Sequence, residues 1–146
     1  MRYLAAAVQT DFPNPPDRSS LPDRVSRLLA LVDNAVLGYA PFGDVRLVVF
    51  PEFAHAAPVY LTVAELRDKL AVPVPNEQTD RYVAKAKERN VHIQTGTFLE
   101  VDAKYPGCVF NTTCLIGPEG LRYKYRKVHP WVPWEVHASP HDIPGY

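Results

Sequence analysis

"RLVVFPEFA", Arg46 to Ala54, holds the reading that decides the fold. Leu47 to Phe50, with Arg46 leading in, are apolar without interruption, as expected of a central strand covered on both faces in an α/β protein. The run then meets Pro51, which cannot donate to a strand ladder, and an ionisable Glu52 followed by apolar Phe53 and Ala54. Taken alone, Glu52 reads as a solvated loop residue. Its place at the C-terminal end of a central strand, where ligands of open α/β sheets collect, argues for proton transfer instead.

On the amino-terminal side, "YLAAAVQT" reads as a small apolar first strand. The proline-rich "DFPNPPDRSSLPD" after it continues neither strand nor helix and is a loop. From Asp23, a candidate N-cap, Val25, Leu28, Leu29, Val32 and Val36 recur at helical spacing until Gly38, which predicts an amphipathic helix packed on a sheet. On the carboxy-terminal side, "LTVAELRDKLAV" and "NEQTDRYVAKAKERN" read as two helices, the second with Tyr82, Val83 and Ala86 on one face. "VHIQTGTFLEVD" reads as a strand, and "CVFNTTCLIG", "PEG" and "LRYKYRKVH" as a β-hairpin. The order βαβααβ plus hairpin predicts one mixed sheet with helices on at least one face. The final "PWVPWEVHASPHDIPGY" has four prolines, two tryptophans and no periodicity. It is a loop, and large aromatics in loops line pockets or interfaces.

The 146 residues are 47% hydrophobic and 22% charged, the make-up of one globular domain. Sixteen basic residues balance sixteen acidic ones. No net field favours a polyanion, which argues against nucleic acid as a partner. The opening apolar run is far short of the roughly 20 residues that span a bilayer, so no membrane association is expected and a cytoplasmic location is the reading. Cys108 and Cys114 fit neither a zinc knuckle nor a disulfide framework. "NTT" at Asn111 to Thr113 matches a glycosylation sequon and reads as chance. His137 and His141 have a helical metal-ligand spacing, but a proline-rich loop with no carboxylate triad argues against a metal site.

Two further residues stand out. Lys127 ends the alternating strand "YKYRK", and eight positions later Glu135 sits between Trp134 and Val136, a carboxylate that needs a partner.

Together these stretches resemble the nitrilase, or carbon-nitrogen hydrolase, superfamily. "VVFPEFA" is similar to its glutamate motif, "YKYRKVHP" to its lysine motif, "NTTCLIGPEG" to the hairpin before the lysine, and "AAAVQT" to its first strand. The resemblance implies the amino-terminal part of an αββα sandwich over residues 1–146 and a hydrolase of non-peptide carbon-nitrogen bonds needing no cofactor. Carried over by motif, Glu52 is the general base, Lys127 stabilises the tetrahedral oxyanion, and Glu135 positions substrate and nucleophile. "YRKVHPWVPWE" resembles the aliphatic amidase and formamidase arrangement more than the nitrilase one, so of the two substrate classes the resemblance implies, a small amide or a nitrile, it favours the small amide.

The family's nucleophilic cysteine belongs on a later strand, beyond Tyr146. Cys108 and Cys114 both precede Lys127 and read as a buried hydrophobe or inert thiol. The expectation is therefore a chain inactive alone, whose open sheet face is covered by the carboxy-terminal half of the domain or by another chain, within a homo-oligomer. The alternative is a catalytically inactive homologue acting as a binding or assembly module.

Overall fold

The computed structural model describes residues 3–132 and 134–146. Its elements, in chain order, are β1 (Leu4–Ala7), α1 (Leu21–Tyr39), β2 (Val45–Val49), α2 (Val63–Glu65), β3 (Val72–Pro73), α3 (Glu77–Arg89), β4 (His92–Val101), β5 (Phe110–Gly117) and β6 (Gly120–Arg126). One six-stranded sheet runs β1-β2-β4-β5-β6, with β3 beside the end of β4. The first three strands of that order are parallel, and β4, β5 and β6 are antiparallel.

The two long helices form where the pattern predicts them. Val25, Leu28 and Val32 of α1 and Tyr82 and Ala86 of α3 are fully buried, and Leu29, Val36 and Val83 pack at their margins. Asn76 caps α3, accepting from the N–H groups of Gln78 and Thr79 while Thr79 closes the reciprocal bond. Helix α1 starts earlier than expected, with Ser20 rather than Asp23 at its cap and Pro22 in its first turn, where a missing N–H costs nothing. It also runs through Gly38 to Tyr39, because one exposed glycine costs a helix only about 1 kcal/mol.

The first of the two later helical segments departs further. Only Val63–Glu65 is α-helical, Leu66–Leu70 is a π-helical turn, and Val72–Pro73 peels off to pair with Glu100 and Val101. Burial decides this: Leu66, Leu70 and Ala71 pack with Leu99 and Val109 in a second, smaller cluster.

One register row shows how the two faces differ. Ala6, Val48, Ile93, Ile116 and Leu121 lie side by side across the five strands, and Val48, Ile93 and Ile116 are fully buried beneath the helices. The adjacent row, Ala7, Val49, Gln94, Leu115 and Tyr123, points the other way, and none of its members is buried. "VRLVVF" is thus covered on its helix face and only half-covered on the other.

Candidate active site

Where β2 ends, the chain turns sharply. Phe53 is in the left-handed region at φ 57°, a conformation that costs a non-glycine residue of order 1 kcal/mol. Its N–H donates to Thr97 Oγ1 at 2.8 Å, holding the turn against β4. Close approach there requires Gly96. It sits at a register shift in β4 with φ 72°, and a Cβ at that point would fall on the Pro51 carbonyl oxygen and lie 2.7 Å from Ala54 Cβ. From the helix side, Arg24 Nε donates to Ala54 O at 2.6 Å and its Nη1 pairs with Asp11 at 2.9 Å. The turn therefore projects Glu52 from a fixed base, with the carboxylate at one end of the uncovered sheet face. Glu52 is less enclosed than its apolar neighbours suggest: its side chain is 42% exposed.

Lys127 follows β6 directly. The preceding Arg126 points to the opposite face, where Nε and Nη2 bond the buried Glu100 at 2.9 and 2.8 Å and the guanidinium lies 4.1 Å from the Phe110 ring. Lys127 N donates to Asn111 O at 2.8 Å, extending the β5 pairing by one residue. With Arg126 anchored just before it and its own N–H held by Asn111, Lys127 presents its ammonium to the same end of the sheet as Glu52.

The distances bring the three expected residues together. Lys127 Nζ is 2.8 Å from Glu52 Oε1 and 2.9 Å from each oxygen of Glu135. Asn111 Nδ2 donates to Glu52 Oε1 at 2.7 Å, and the Trp131 N–H donates to Glu135 Oε2. Glu135 is buried and held there by its own loop: Ala138 N bonds Val109 O at 2.7 Å, and Ser139 Oγ bonds Val128 O at 2.6 Å. Pro133, the middle proline of the loop motif, lies outside the described residues.

Burial works against the Lys127 ammonium, yet its bonds to Glu52 and Glu135 outweigh it and raise the lysine's pKa above the ordinary value. Burial likewise opposes the charged form of Glu135, but the Trp131 N–H and Lys127 prevail and lower its pKa. The cluster is thus an ammonium clamped between two carboxylates. His137, with its ring enclosed and Nε2 3.8 Å from Glu135 Oε2, has its pKa lowered chiefly by burial.

Cys114 lies elsewhere. It is fully buried among the helix-side core residues, and burial pushes its thiol up to about 12. It faces away from Asn111, three residues before it on the same strand. His129 and His141 meet edge to face, with ring centroids 5.9 Å apart, and among the described residues no group of three or more His, Cys, Asp or Glu is arranged to hold a metal ion.

Asn111 is the site residue that motif reading passes over. Its sequon points elsewhere, and a fully buried side chain accepts no glycan in the folded protein. Its alternation with Phe110 and Thr112 in β5 is the cue that it faces the Glu52 side.

The family model for carbon-nitrogen hydrolases matches residues 4–143, nearly the whole chain. The chain belongs to the carbon-nitrogen hydrolase family. Among curated relatives, formamidases of Bacillus cereus strains Q1 and G9842 are 28% and 29% identical over 135 and 136 residues, covering 91% of this carbon-nitrogen hydrolase chain and 38% of each formamidase. The chain thus spans about two-fifths of the length of the curated relatives it matches. Two solved structures share the fold. Nit3 of Saccharomyces cerevisiae, a member of branch 10 of the nitrilase superfamily, aligns with a TM-score of 0.65 at 21% identity over 88% of this chain and 45% of that one. An N-terminal amidase aligns with a TM-score of 0.65 at 15% identity over 88% of this chain and 28% of that one.

Proposed function

We propose that this chain supplies the acid-base and oxyanion groups of a site that hydrolyses small amides, with the nucleophilic cysteine outside these 146 residues. The observation that carries the reading is Lys127 Nζ within 2.9 Å of both Glu52 and Glu135. Glu52 takes the thiol proton as sulfur attacks the amide carbonyl, and Lys127 donates to the oxygen on which charge develops. Glu52 then returns the proton to the leaving ammonia, and water, activated by the same carboxylate, cleaves the thioester. An ammonium has three donors, and three carboxylate oxygens surround this one. The oxyanion therefore displaces one oxygen of Glu135, whose bond to the Trp131 N–H keeps it in place. The loop arrangement and the formamidase relatives support a small amide over a nitrile.

The same reading assigns a cover to the bare row Ala7, Val49, Gln94, Leu115 and Tyr123: the carboxy-terminal half of the domain, or another chain carrying it. Ammonia release from formamide and acetamide tests both parts. The chain alone releases none. Supplied with a carboxy-terminal half bearing the cysteine, it turns over, and Glu52→Gln or Lys127→Met reduces turnover by at least about a thousandfold. Leu115→Glu blocks the assembly in sedimentation. Turnover by the pure chain that Cys114→Ala abolishes, or an assembled pair that never releases ammonia, refutes the proposal.

A further inference from the structure

We infer that Asn111 is a positioning residue of this site: its side chain holds Glu52 by Oε1 alone, leaving Oε2 as the proton-transfer oxygen, while its main-chain carbonyl fixes Lys127. The inference rests on the hydrolase reading for its purpose but not for its geometry.

Among the described residues, Asn111 is the one bonded to both partners by different parts of itself. Nδ2 donates to Glu52 Oε1 at 2.7 Å, across 59 positions of sequence, and the carbonyl oxygen accepts from Lys127 N at 2.8 Å. A carboxylate only accepts, so the amide nitrogen must face Glu52 and the orientation of the side chain is forced. That orientation leaves Oδ1 buried with no hydrogen-bond partner among the described residues. An orphaned buried acceptor destabilises a fold, whereas an apolar side chain of the same size would not. Packing alone therefore does not account for asparagine here; the bond to Glu52 does.

The consequence falls on Glu52. Its Oε1 accepts from both Asn111 Nδ2 and Lys127 Nζ, while its Oε2 accepts from no group among the described residues. A carboxylate free to rotate would exchange its two oxygens; two donors on one oxygen stop that. The turn after β2 sets where Glu52 begins, and Asn111 sets which oxygen it offers. For a base that must take a proton and return it, a fixed oxygen keeps the reacting atoms aligned through both transfers.

The test uses the 146-residue chain labelled with 15N and 13C, and neither of its first two readouts needs turnover. In the wild type, one Asn111 Nδ2 proton resonates downfield and is protected from exchange, and Glu52→Ala abolishes both features. In Asn111→Leu, which removes the donor and the orphaned acceptor together and leaves the main-chain carbonyl, the melting temperature stays within a few degrees of wild type or rises. The Lys127 Nζ titration in that variant moves down by at least about 0.5 pH unit, toward its midpoint in Glu52→Ala. In the assembled enzyme the same variant lowers kcat at least about tenfold with KM within about twofold. An unprotected Asn111 amide in the wild type overturns the inference whether or not any variant folds. So does a Lys127 titration that Glu52→Ala shifts and Asn111→Leu does not. If the spectroscopic results hold and no assembly releases ammonia, the geometry stands and the hydrolase reading fails.

Discussion

Lys127 Nζ lies 2.8 Å from Glu52 Oε1, although 75 positions separate the two residues. The contact joins the ends of two strands that are not neighbours. β2 ends before Glu52, β6 ends before Lys127, and β4 and β5 lie between them. Asn111, at the start of β5, spans part of that gap, and the turn fixed by Gly96 spans the rest.

The two carboxylates that hold Lys127 differ in burial, and this predicts unequal effects on stability. Lys127→Met leaves the buried Glu135 with the Trp131 N–H as its remaining donor, which should cost about 1–3 kcal/mol in urea unfolding. Glu52→Gln changes a side chain that is 42% exposed and keeps an acceptor for both donors, so it should cost no more than about 0.5 kcal/mol. Equal losses would mean that Glu52 is enclosed as deeply as Glu135.

A buried imidazole next to the glutamate turn makes stability depend on pH. His55 stacks on Phe98 at 3.7 Å between centroids, with Nδ1 3.0 Å from Thr97 O and Nε2 2.9 Å from the Tyr82 hydroxyl. The carbonyl only accepts, so Nδ1 carries the proton and Nε2 accepts from Tyr82. Burial lowers the ring's pKa from 6.5 to about 4. The unfolded chain binds a proton first, so this contribution is complete above pH 6.5, falls as pH drops and is gone below about 4. The total is about 3 kcal/mol. His137, also lowered chiefly by burial, adds in the same direction. Urea midpoints between pH 7 and 4 should fall less steeply in His55→Phe than in wild type.

Gly96→Ala meets both a positive φ and a backbone oxygen where its methyl group would sit. A loss of about 2–4 kcal/mol is expected. Because the collision is with Pro51 and Ala54, the variant should also displace Glu52, lowering the Lys127 titration midpoint much as Glu52→Ala does. A loss of stability with the Lys127 signal unchanged would show that the turn gives way elsewhere.

Several elements were legible locally. The apolar run before Pro51, the helical spacing of Val25, Leu28 and Val32, and the hairpin around Gly120 each follow from the period or turn chemistry of adjacent residues. Val63 to Leu70 was not, because its leucines satisfy an α pattern and a π-helical turn alike, and only packing on Leu99 and Val109 selects the latter. Glu52, Lys127 and Glu135 were identifiable as carboxylates and a cation at strand ends or in apolar company, since their types and neighbours are local properties. Their convergence was not local. It depends on the order in which β2, β4, β5 and β6 pair, and on a bulge at Gly96 that re-aims one strand. Asn111 shows the limit most clearly. Its three-residue context spells a glycosylation sequon, and only the neighbouring strands make it a buried donor to a carboxylate 59 positions away. Chain-local chemistry determined which residues carry charge and which element each ends; the tertiary pairing decided which charges meet, because hydrogen-bond distances across a sheet are set by strand order and register, which no short stretch contains.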